Sequence, residues 1–268
     1  FPAVGNTYTN NGQTFTVAAS HAASLKIHCT GTGAPSASGT LTRATGSGDA
    51  TITFSSVATN NSKATLMRNV GVVGAAFFKN VRGINLDSIW KNLTGASAAT
   101  RLNIDGMDLD ANTSFAITFD VALAAVRAVN VNMAGGTFAQ IGAAGTYAFD
   151  VSNANFASNF VRNAAGSGTI TLRAANVNAG TFLRTDANSP VINFAASGCS
   201  ATTPINVAGG TPDIRVIGAV SMSLDGAVIN ATATNHAAGA SFYNTNAAFG
   251  AGVGAYVRGA SAWVRVAA

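Results

Sequence analysis

Residues 129–138 read VNVNMAGGTF, residues 152–160 read SNANFASNF, and residues 175–182 read ANVNAGTF. Asparagine recurs in these segments every 23 residues, and a phenylalanine closes each of them. The same step in both directions reaches four further segments of similar pattern, at Ile84, Met107, Cys199 and Met222. A period in the low twenties, rich in Asn, Gly and Thr and poor in helix formers, is typical of a solenoid of short strands. The sequence therefore predicts a parallel β-helix.

Three columns of side chains follow from this period. Successive coils of a parallel β-helix lie about 4.8 Å apart, so equivalent residues stack and identical side chains form ladders. Stacked amides satisfy one another's donors and acceptors, and stacked rings form an apolar interior. We expect two amide ladders and one interior aromatic stack, formed respectively by Asn130, Asn153 and Asn176; by Asn132, Asn155 and Asn178; and by Phe138, Phe160 and Phe182.

Three regions of the chain differ in character. Residues 1–60 alternate apolar and polar side chains between turn signals, and the Asn-Gly pair at 11–12 is a strong hairpin signal. We expect a small antiparallel β-domain there, the β-helix over residues 61–232 and a C-terminal cap over residues 233–268. The cap should end in a hairpin around residues 258–261 that closes the open end of the solenoid. The predicted fold class is all-β.

The composition excludes several classes of function. Only 25 of the 268 residues are charged and none is glutamate, which favours a rigid extracellular or virion β-structure over a helical cytosolic enzyme. The net charge of +5 comes mainly from scattered arginines without a basic run, so we expect no nucleic-acid partner. No stretch approaches the roughly 18 apolar residues of a membrane-spanning helix, so we expect no membrane partner.

The two cysteines, Cys29 and Cys199, lie far apart in the chain and have no metal-ligand spacing. We expect free buried thiols, with a disulfide as the alternative. The sequence predicts neither a metal site nor a cofactor site.

A pair of acidic residues is the strongest candidate for chemistry. Counting in steps of 23 places Asp87 and Asp110 at the same position of adjacent coils. Carboxylates one strand spacing apart can serve as acid and base of a retaining glycosidase, although such a site needs sugar-stacking aromatic residues and only Trp90 is close in sequence. The pair can also bind a cation, with Asp105 and Asp108 nearby. Two solvated turn aspartates are the alternative that we favour. The three histidines are dispersed and no Gly-x-Ser-x-Gly motif occurs, so we predict no catalytic residue.

Both ends of the chain carry a resemblance to known proteins. Residues 5–17 read GNTYTNNGQTFTV, residues 31–41 read GTGAPSASGTL and residues 46–54 read GSGDATITF. Together they resemble modules of tailed-bacteriophage virion proteins. The closing GAYV at 254–257 and SAWVRV at 261–266 are similar to the hairpins that end many phage fibre and spike chains. The resemblance implies a trimeric head decoration, fibre or receptor-binding spike, and it transfers no catalytic residue.

The sequence and the resemblance together predict a non-enzymatic structural protein on the virion surface, a trimeric capsid decoration or cement protein. Its expected partners are copies of itself in a homotrimer and the major capsid protein or other virion proteins. We expect docking through the N-terminal residues Tyr8, Phe15 and Phe54. The alternative is a tail fibre or tailspike that binds host-surface glycan through exposed Tyr, Trp and Asn side chains. A depolymerase that uses Asp87 and Asp110 is a further alternative.

Overall fold

The structure of the chain is a computed structural model that describes the backbone of residues 7–10, 13–21, 26–30, 51–55, 58–60, 65–69, 75–93, 101–121, 125–230 and 232–267. Side chains are described for Thr65 and for the last four of these ranges. Within these parts nearly every regular element is a β-strand. The only helical segments among them are two short 3-10 turns, Gly226–Val228 and Ala233–Asn235.

The N-terminal strands form a separate antiparallel sheet of β1 (Thr7–Asn10), β2 (Gln13–His21) and β3 (Lys26–Thr30). Asn10 lies opposite Gln13, so two residues, Asn11 and Gly12, connect β1 to β2. This is the two-residue hairpin that an Asn-Gly pair favours.

A parallel β-helix of seven coils follows, as the repeat predicts. The first coil comprises β4 (Thr51–Ser55), β5 (Ala58–Asn60) and β6 (Thr65–Asn69), and the second comprises β7 (Ala75–Ile84) and β8 (Ser88–Asn92). The third coil comprises β9 (Arg101–Leu109) and β10 (Phe115–Phe119), and the fourth comprises β11 (Ala125–Met133) and β12 (Thr137–Ile141). Coils five to seven comprise β13 (Gly145–Asn163), β14 (Gly168–Thr185), and β15 (Val191–Ser197) with β16 (Ser200–Val207). The next strand, β17 (Asp213–Leu224), pairs in parallel with β15 and ends the solenoid.

The β-helix begins before the predicted boundary at residue 61. Both β4 and β5 pair in parallel with β7, and Phe54 lies opposite Phe78. Residues 51–60 therefore belong to the first coil and not to the antiparallel domain. The prediction placed them wrongly because alternating apolar residues look the same in an antiparallel strand and in a solenoid strand that buries one face.

The number of residues per coil varies around 23. Val131, Ala154 and Val177 pair in register with steps of 23, but Ala75 lies opposite Arg101, 26 positions further on. The turns account for the difference in coil length, since eight residues separate β8 from β9 whereas three separate β12 from β13. The uniform count is therefore wrong at Met107, which lies opposite Val81 and not opposite Ile84.

The interior of the solenoid is apolar and contains the predicted aromatic stack. Phe138, Phe160 and Phe182 are fully buried at equivalent positions of consecutive coils. Their ring centroids lie 5.8 Å and 4.9 Å apart, and the ring of Phe156 stacks on Phe160 at 5.0 Å. Burial of each such ring contributes about 1.5–3 kcal/mol to stability, so the stack is a major source of cohesion between coils.

The C-terminal cap closes the last coil, in agreement with the prediction. It consists of β18 (Ser241–Asn244), β19 (Gly254–Arg258) and β20 (Trp263–Ala267). The first of these strands pairs in parallel with β17, and the other two extend the sheet in antiparallel order. The ring of Phe242 lies 5.0 Å from that of Trp263, which gives the cap its own aromatic cluster. The cap protects an edge that would otherwise expose unpaired backbone groups.

Candidate functional site

One corner of the solenoid carries a column of residues with left-handed backbone. Its members are Asn80, Gly106, Asn130, Asn153, Asn176 and Gly198, with φ angles between 51° and 76°. Asparagine and glycine are the residues that adopt this conformation most readily. The recurrent asparagines are therefore required by the shape of the corner as well as by amide stacking, a cause that the sequence pattern alone did not reveal.

The hydrogen bonds of this corner show part of the first predicted ladder. The Nδ2 of Asn176 donates to Oδ1 of Asn153 at 3.3 Å, and the Nδ2 of Asn130 donates to Oδ1 of Asp105 at 3.3 Å. All of these groups are exposed to solvent. The corner thus presents a row of amides and a carboxylate to the outside.

The second predicted ladder lies two residues further on and is continuous over five coils. Asn132 donates to Asp108 at 2.8 Å, Asn155 to Asn132 at 3.1 Å, and Asn178 to Asn155 at 3.0 Å. The hydroxyl of Ser200 donates to Asn178 at 3.0 Å. Every bond points toward the N-terminal coils, so the chain of donors ends on the Asp108 carboxylate, the strongest acceptor of the series. The Nε of Arg82 lies 4.0 Å from that carboxylate.

A shallow groove interrupts the corner at Gly106. A side chain at this position would place its Cβ 2.6 Å from Oδ1 of Asn80, so the amide of Asn80 occupies that space and only glycine fits beside it. The groove is lined by Val81, Gly106 and Met107 and by five polar residues, which are Asn80, Arg82, Asp108, Asn130 and Asn132. We call this the polar groove. Its donors and acceptors suit a hydroxyl-rich ligand such as a glycan.

The acidic pair predicted from the repeat does not form. Ser88 lies opposite Phe115, so Asp87 aligns with Ser114, and the N–H of Phe115 bonds to the carbonyl of Asp87 at 2.9 Å. Asp110 lies elsewhere on the coil, with its N–H bonded to the carbonyl of Gly83 at 3.1 Å. The equal spacing of 23 fails here because the turn between β8 and β9 is longer than the others.

Each of the two carboxylates has a structural partner. Asp87 forms an ion pair with Lys91 and accepts from the hydroxyl of Thr65 at 3.3 Å. Asp110 accepts from the hydroxyl of Thr113 at 2.7 Å and from the N–H of Asn85 at 2.8 Å. Burial tends to raise the pKa of Asp110, but these hydrogen bonds hold it below its ordinary value. A general acid needs a raised pKa, so Asp110 is not suited to that role.

Most aromatic side chains that could stack on a sugar are buried. Trp90 is fully buried, as are Tyr147 and Tyr256, so they are removed from any surface ligand. Tyr243 and Phe77 are each 40% exposed. Phe77 was not singled out by the sequence, because it is adjacent to Phe78 and the pair alone does not indicate which ring faces the core. It lies in coil two, the coil that contributes Asn80 and Arg82 to the polar groove.

A second charged cluster lies on another face of the rod. Arg162 and Arg184 occupy equivalent positions of coils five and six, and their Nε atoms each lie 2.6 Å from the carboxylate of Asp186. Burial tends to raise the pKa of Asp186, but the two arginines hold it below its ordinary value. The arginines looked scattered in the sequence, and only the strand register brings them together.

Cys199 and His236 are both buried. Cys199 is a free thiol that is 6% exposed, and burial raises the pKa of its thiol. A raised pKa keeps the sulfur protonated and unreactive. The side chain of Cys29 lies outside the described residues. His236 is 5% exposed and belongs to the cap region, not to a surface site.

The residues predicted for docking lie in the N-terminal third of the chain. Tyr8 lies opposite Phe15 in the β1–β2 hairpin, and Phe54 is in the first coil. Their side chains lie outside the described residues, so docking through them stays a prediction.

Potential metal ligands are scattered over the described part of the chain. Among these residues, no group of three or more His, Cys, Asp or Glu side chains is arranged to hold a metal ion. The same residues contain no helix with the length and apolar character needed to cross a bilayer.

Comparisons with known proteins give no further guide to this site. Neither a protein-family model, nor a curated protein, nor a solved structure matches the chain.

Proposed function

We propose that this chain is a non-enzymatic structural protein of a tailed-bacteriophage virion, a trimeric decoration protein on the surface of the capsid. One structural observation carries the proposal beyond the resemblance of the chain ends. The solenoid is closed at its C-terminal end by β18, β19 and β20, which leaves the N-terminal part of the chain for attachment. A rod that is capped at only one end suits a protein that projects from a particle.

The solenoid has the mechanical properties of a spacer. Seven coils with a rise of about 4.8 Å each give a rod on the order of 35 Å long. Backbone hydrogen bonds run from coil to coil along its length, and the interior is filled by stacked rings such as Phe160 and Phe182. Such a repetitive core resists local opening and proteolysis.

Assembly into a trimer and binding to a shell also have support in the surface of the rod. Several outward positions of the central coils carry small side chains that are partly or fully exposed, among them Ala148, Ala175 and Ala195. Small residues let rods approach closely around a cyclic symmetry axis. The net charge of +5 favours association with an acidic shell.

Immunogold electron microscopy tests the proposal directly. Antibodies against the purified chain should label the heads of tailed-phage particles from the host that carries the gene. Labelling of tails would favour the fibre alternative, and unlabelled particles that lack the chain by mass spectrometry would overturn the virion assignment.

Variants at the predicted docking residues test the mode of attachment. The double variant Tyr8→Ala/Phe15→Ala should bind capsids that lack the protein at least tenfold more weakly than the unaltered chain, a loss of about 1.4 kcal/mol. Val264→Ser, in the exposed strand β20, is the matched control and should bind normally. Equal binding by both variants would show that the N-terminal sheet is not the docking element.

The second candidate function is glycan binding at the polar groove. Arg82, Asp108 and Asn132 line the groove, and the exposed ring of Phe77 in the same coil as Arg82 offers a surface for stacking. A tail fibre or spike would use such a groove to recognise polysaccharide on a host cell.

Glycan arrays that carry bacterial surface polysaccharides test this candidate. Binding should fall at least tenfold in Asp108→Ala and in Phe77→Ala. Arg184→Ala, on the other face of the rod, is the control and should retain binding. Absence of binding by the unaltered chain, or an equal loss in the control, would remove the glycan function.

A further inference from the structure

The cap region, residues 230–267, covers the edge of β17 at which no further coil of the solenoid pairs. The N–H of Asn230 donates to the carbonyl of Ile214 at 2.8 Å, and the N–H of Ala237 donates to the carbonyl of Val216 at 3.1 Å. The N–H of Val216 is satisfied by a side chain, since it donates to Nδ1 of His236 at 2.8 Å. An imidazole thus replaces the backbone carbonyl that the next coil would have supplied.

The second nitrogen of the same ring is also engaged. Nε2 of His236 lies 2.9 Å from the carbonyl oxygen of Asn230. Because Nδ1 accepts a hydrogen bond, the network assigns the ring proton to Nε2, which donates to Asn230. The ring is therefore neutral in the capped state. A second proton would have to bind at Nδ1, where it would face the N–H of Val216 and displace that hydrogen bond.

The charged groups around the ring come from two strands. Arg258 of β19 and Arg215 of β17 oppose a positive charge on His236, and Asp213 of β17 favours one. The carboxylate of Asp213 is already paired with Arg215 and bonded by the side chain of Asn230. Burial is the largest influence and lowers the pKa of His236, the two arginines lower it further, and the bond to Asn230 together with Asp213 raises it in part.

The packing around His236 is incompletely satisfied. The ring of Trp263 in β20 lies 4.8 Å from the imidazole ring. Among the described residues, Nη1 of Arg258 and Nε1 of Trp263 are buried donors without a hydrogen-bond partner. Unpaired buried donors reduce the stability of a packed element, so loss of one more hydrogen bond has a large effect here.

We propose that His236 is an acid-sensitive latch: uptake of one proton at its Nδ1 releases the cap region, residues 230–267, from the edge of β17. The device is independent of the virion function, because it concerns the closed end of the solenoid whatever the rod is attached to. Release exposes the backbone edge of β17 and the apolar side chains of Phe242 and Trp263.

The direction of the pH effect follows from linkage. The folded ring has a lower pKa than the ordinary value of 6.5, so the open state binds more protons than the capped state. The latch stabilises the cap fully above pH 6.5 and weakens as the pH falls below that value. In that window the open fraction rises by up to about tenfold for each pH unit. Asp186 and Asp213 have lowered pKa values and titrate below this window.

Hydrogen exchange of the full chain, followed by mass spectrometry at pH 7.5 and pH 5.5, tests the latch. After correction for the intrinsic exchange rate, peptides that cover 213–218 and 241–244 should exchange up to about tenfold faster at the lower pH. Peptides from the central coil, such as 149–156, should show unchanged protection. Equal protection of the cap at both pH values would overturn the proposal without any variant.

A matched pair of variants separates His236 from the other histidines. His236→Asn retains a short acceptor near Val216 but has no titratable group, so the pH dependence of cap exchange should disappear. His28→Asn, in β3, should retain the full dependence. The same pH dependence in His236→Asn as in the unaltered chain would show that another group controls the cap.

Discussion

Asn176 and Gly198 occupy the same corner of consecutive coils, and Oδ1 of Asn176 lies 2.5 Å from the position that a Cβ on Gly198 would take. Both residues have left-handed backbone, with φ angles of 55° and 63°. The asparagine column ends at Gly198, where the amide of the preceding coil takes the space of a side chain.

Gly198→Ala should therefore lower the free energy of unfolding by more than the backbone strain alone. Left-handed backbone costs alanine about 1–2 kcal/mol, and the contact with Asn176 adds to that cost. Gly239→Ala is the matched control, because Gly239 has a φ of 77° and nothing lies within 4 Å of the position that its Cβ would take. Urea denaturation measures both. Equal losses would show that the contact with Asn176 has no energetic role.

Phe160→Ala should be the most damaging single truncation of the aromatic stack. Its ring contacts Phe138, Phe156 and Phe182, and its removal leaves a cavity between coils. Large-to-small changes of this kind cost about 3–5 kcal/mol. Phe77→Ala, at a position 40% exposed, should cost less than about 1 kcal/mol in the same denaturation experiment. Similar values for the two variants would contradict the interior placement of Phe160.

Asn155→Ala should weaken the second amide ladder in the middle. The variant loses the bond that Asn155 donates to Asn132 and the one that it accepts from Asn178. A net loss of roughly 0.5–1.5 kcal/mol is expected, at the low end because the ladder is exposed. Thr146→Ala, at an exposed position of the same strand and outside the ladder, is the control for thermal unfolding. If the ladder did not contribute to stability, Asn155→Ala and Thr146→Ala would have the same midpoint temperature of unfolding.

Asp186→Asn should reduce stability at neutral pH and have a smaller effect in acid. Because the folded pKa of Asp186 is lower than its ordinary value of 3.8, its stabilising contribution is present above pH 3.8 and disappears as the pH falls through the folded value. The arginine side chains are 35% and 38% exposed, so the contribution is at most about 1 kcal/mol. Unfolding curves of both proteins between pH 2 and pH 7 should converge at the acidic end. A constant difference across that range would rule out an ionic contribution.

Much of the fold could be predicted from the sequence because the repeat is a direct consequence of stacking. Residues such as Asn132, Asn155 and Asn178 recur every 23 positions because the coils that carry them contain the same number of residues from one ladder position to the next. The Asn-Gly hairpin and the C-terminal hairpin were predictable as well, since both depend on local turn chemistry.

The candidate site was less predictable because it depends on the exceptions to the repeat. Gly106 interrupts the asparagine column beside the polar groove, and the long turn after β8 moves Asp110 away from the level of Asp87. Equal spacing in the sequence indicates neither feature.

The sequence by itself determined the coil, its apolar interior and the identity of its ladders, because stacked strands need like residues at a constant interval. The tertiary structure alone decided which coils are in strict register, that Trp90 is buried, and that His236 satisfies the free edge of β17. These features depend on turn lengths and on contacts between residues far apart in the chain, and neither leaves a periodic signal in the sequence.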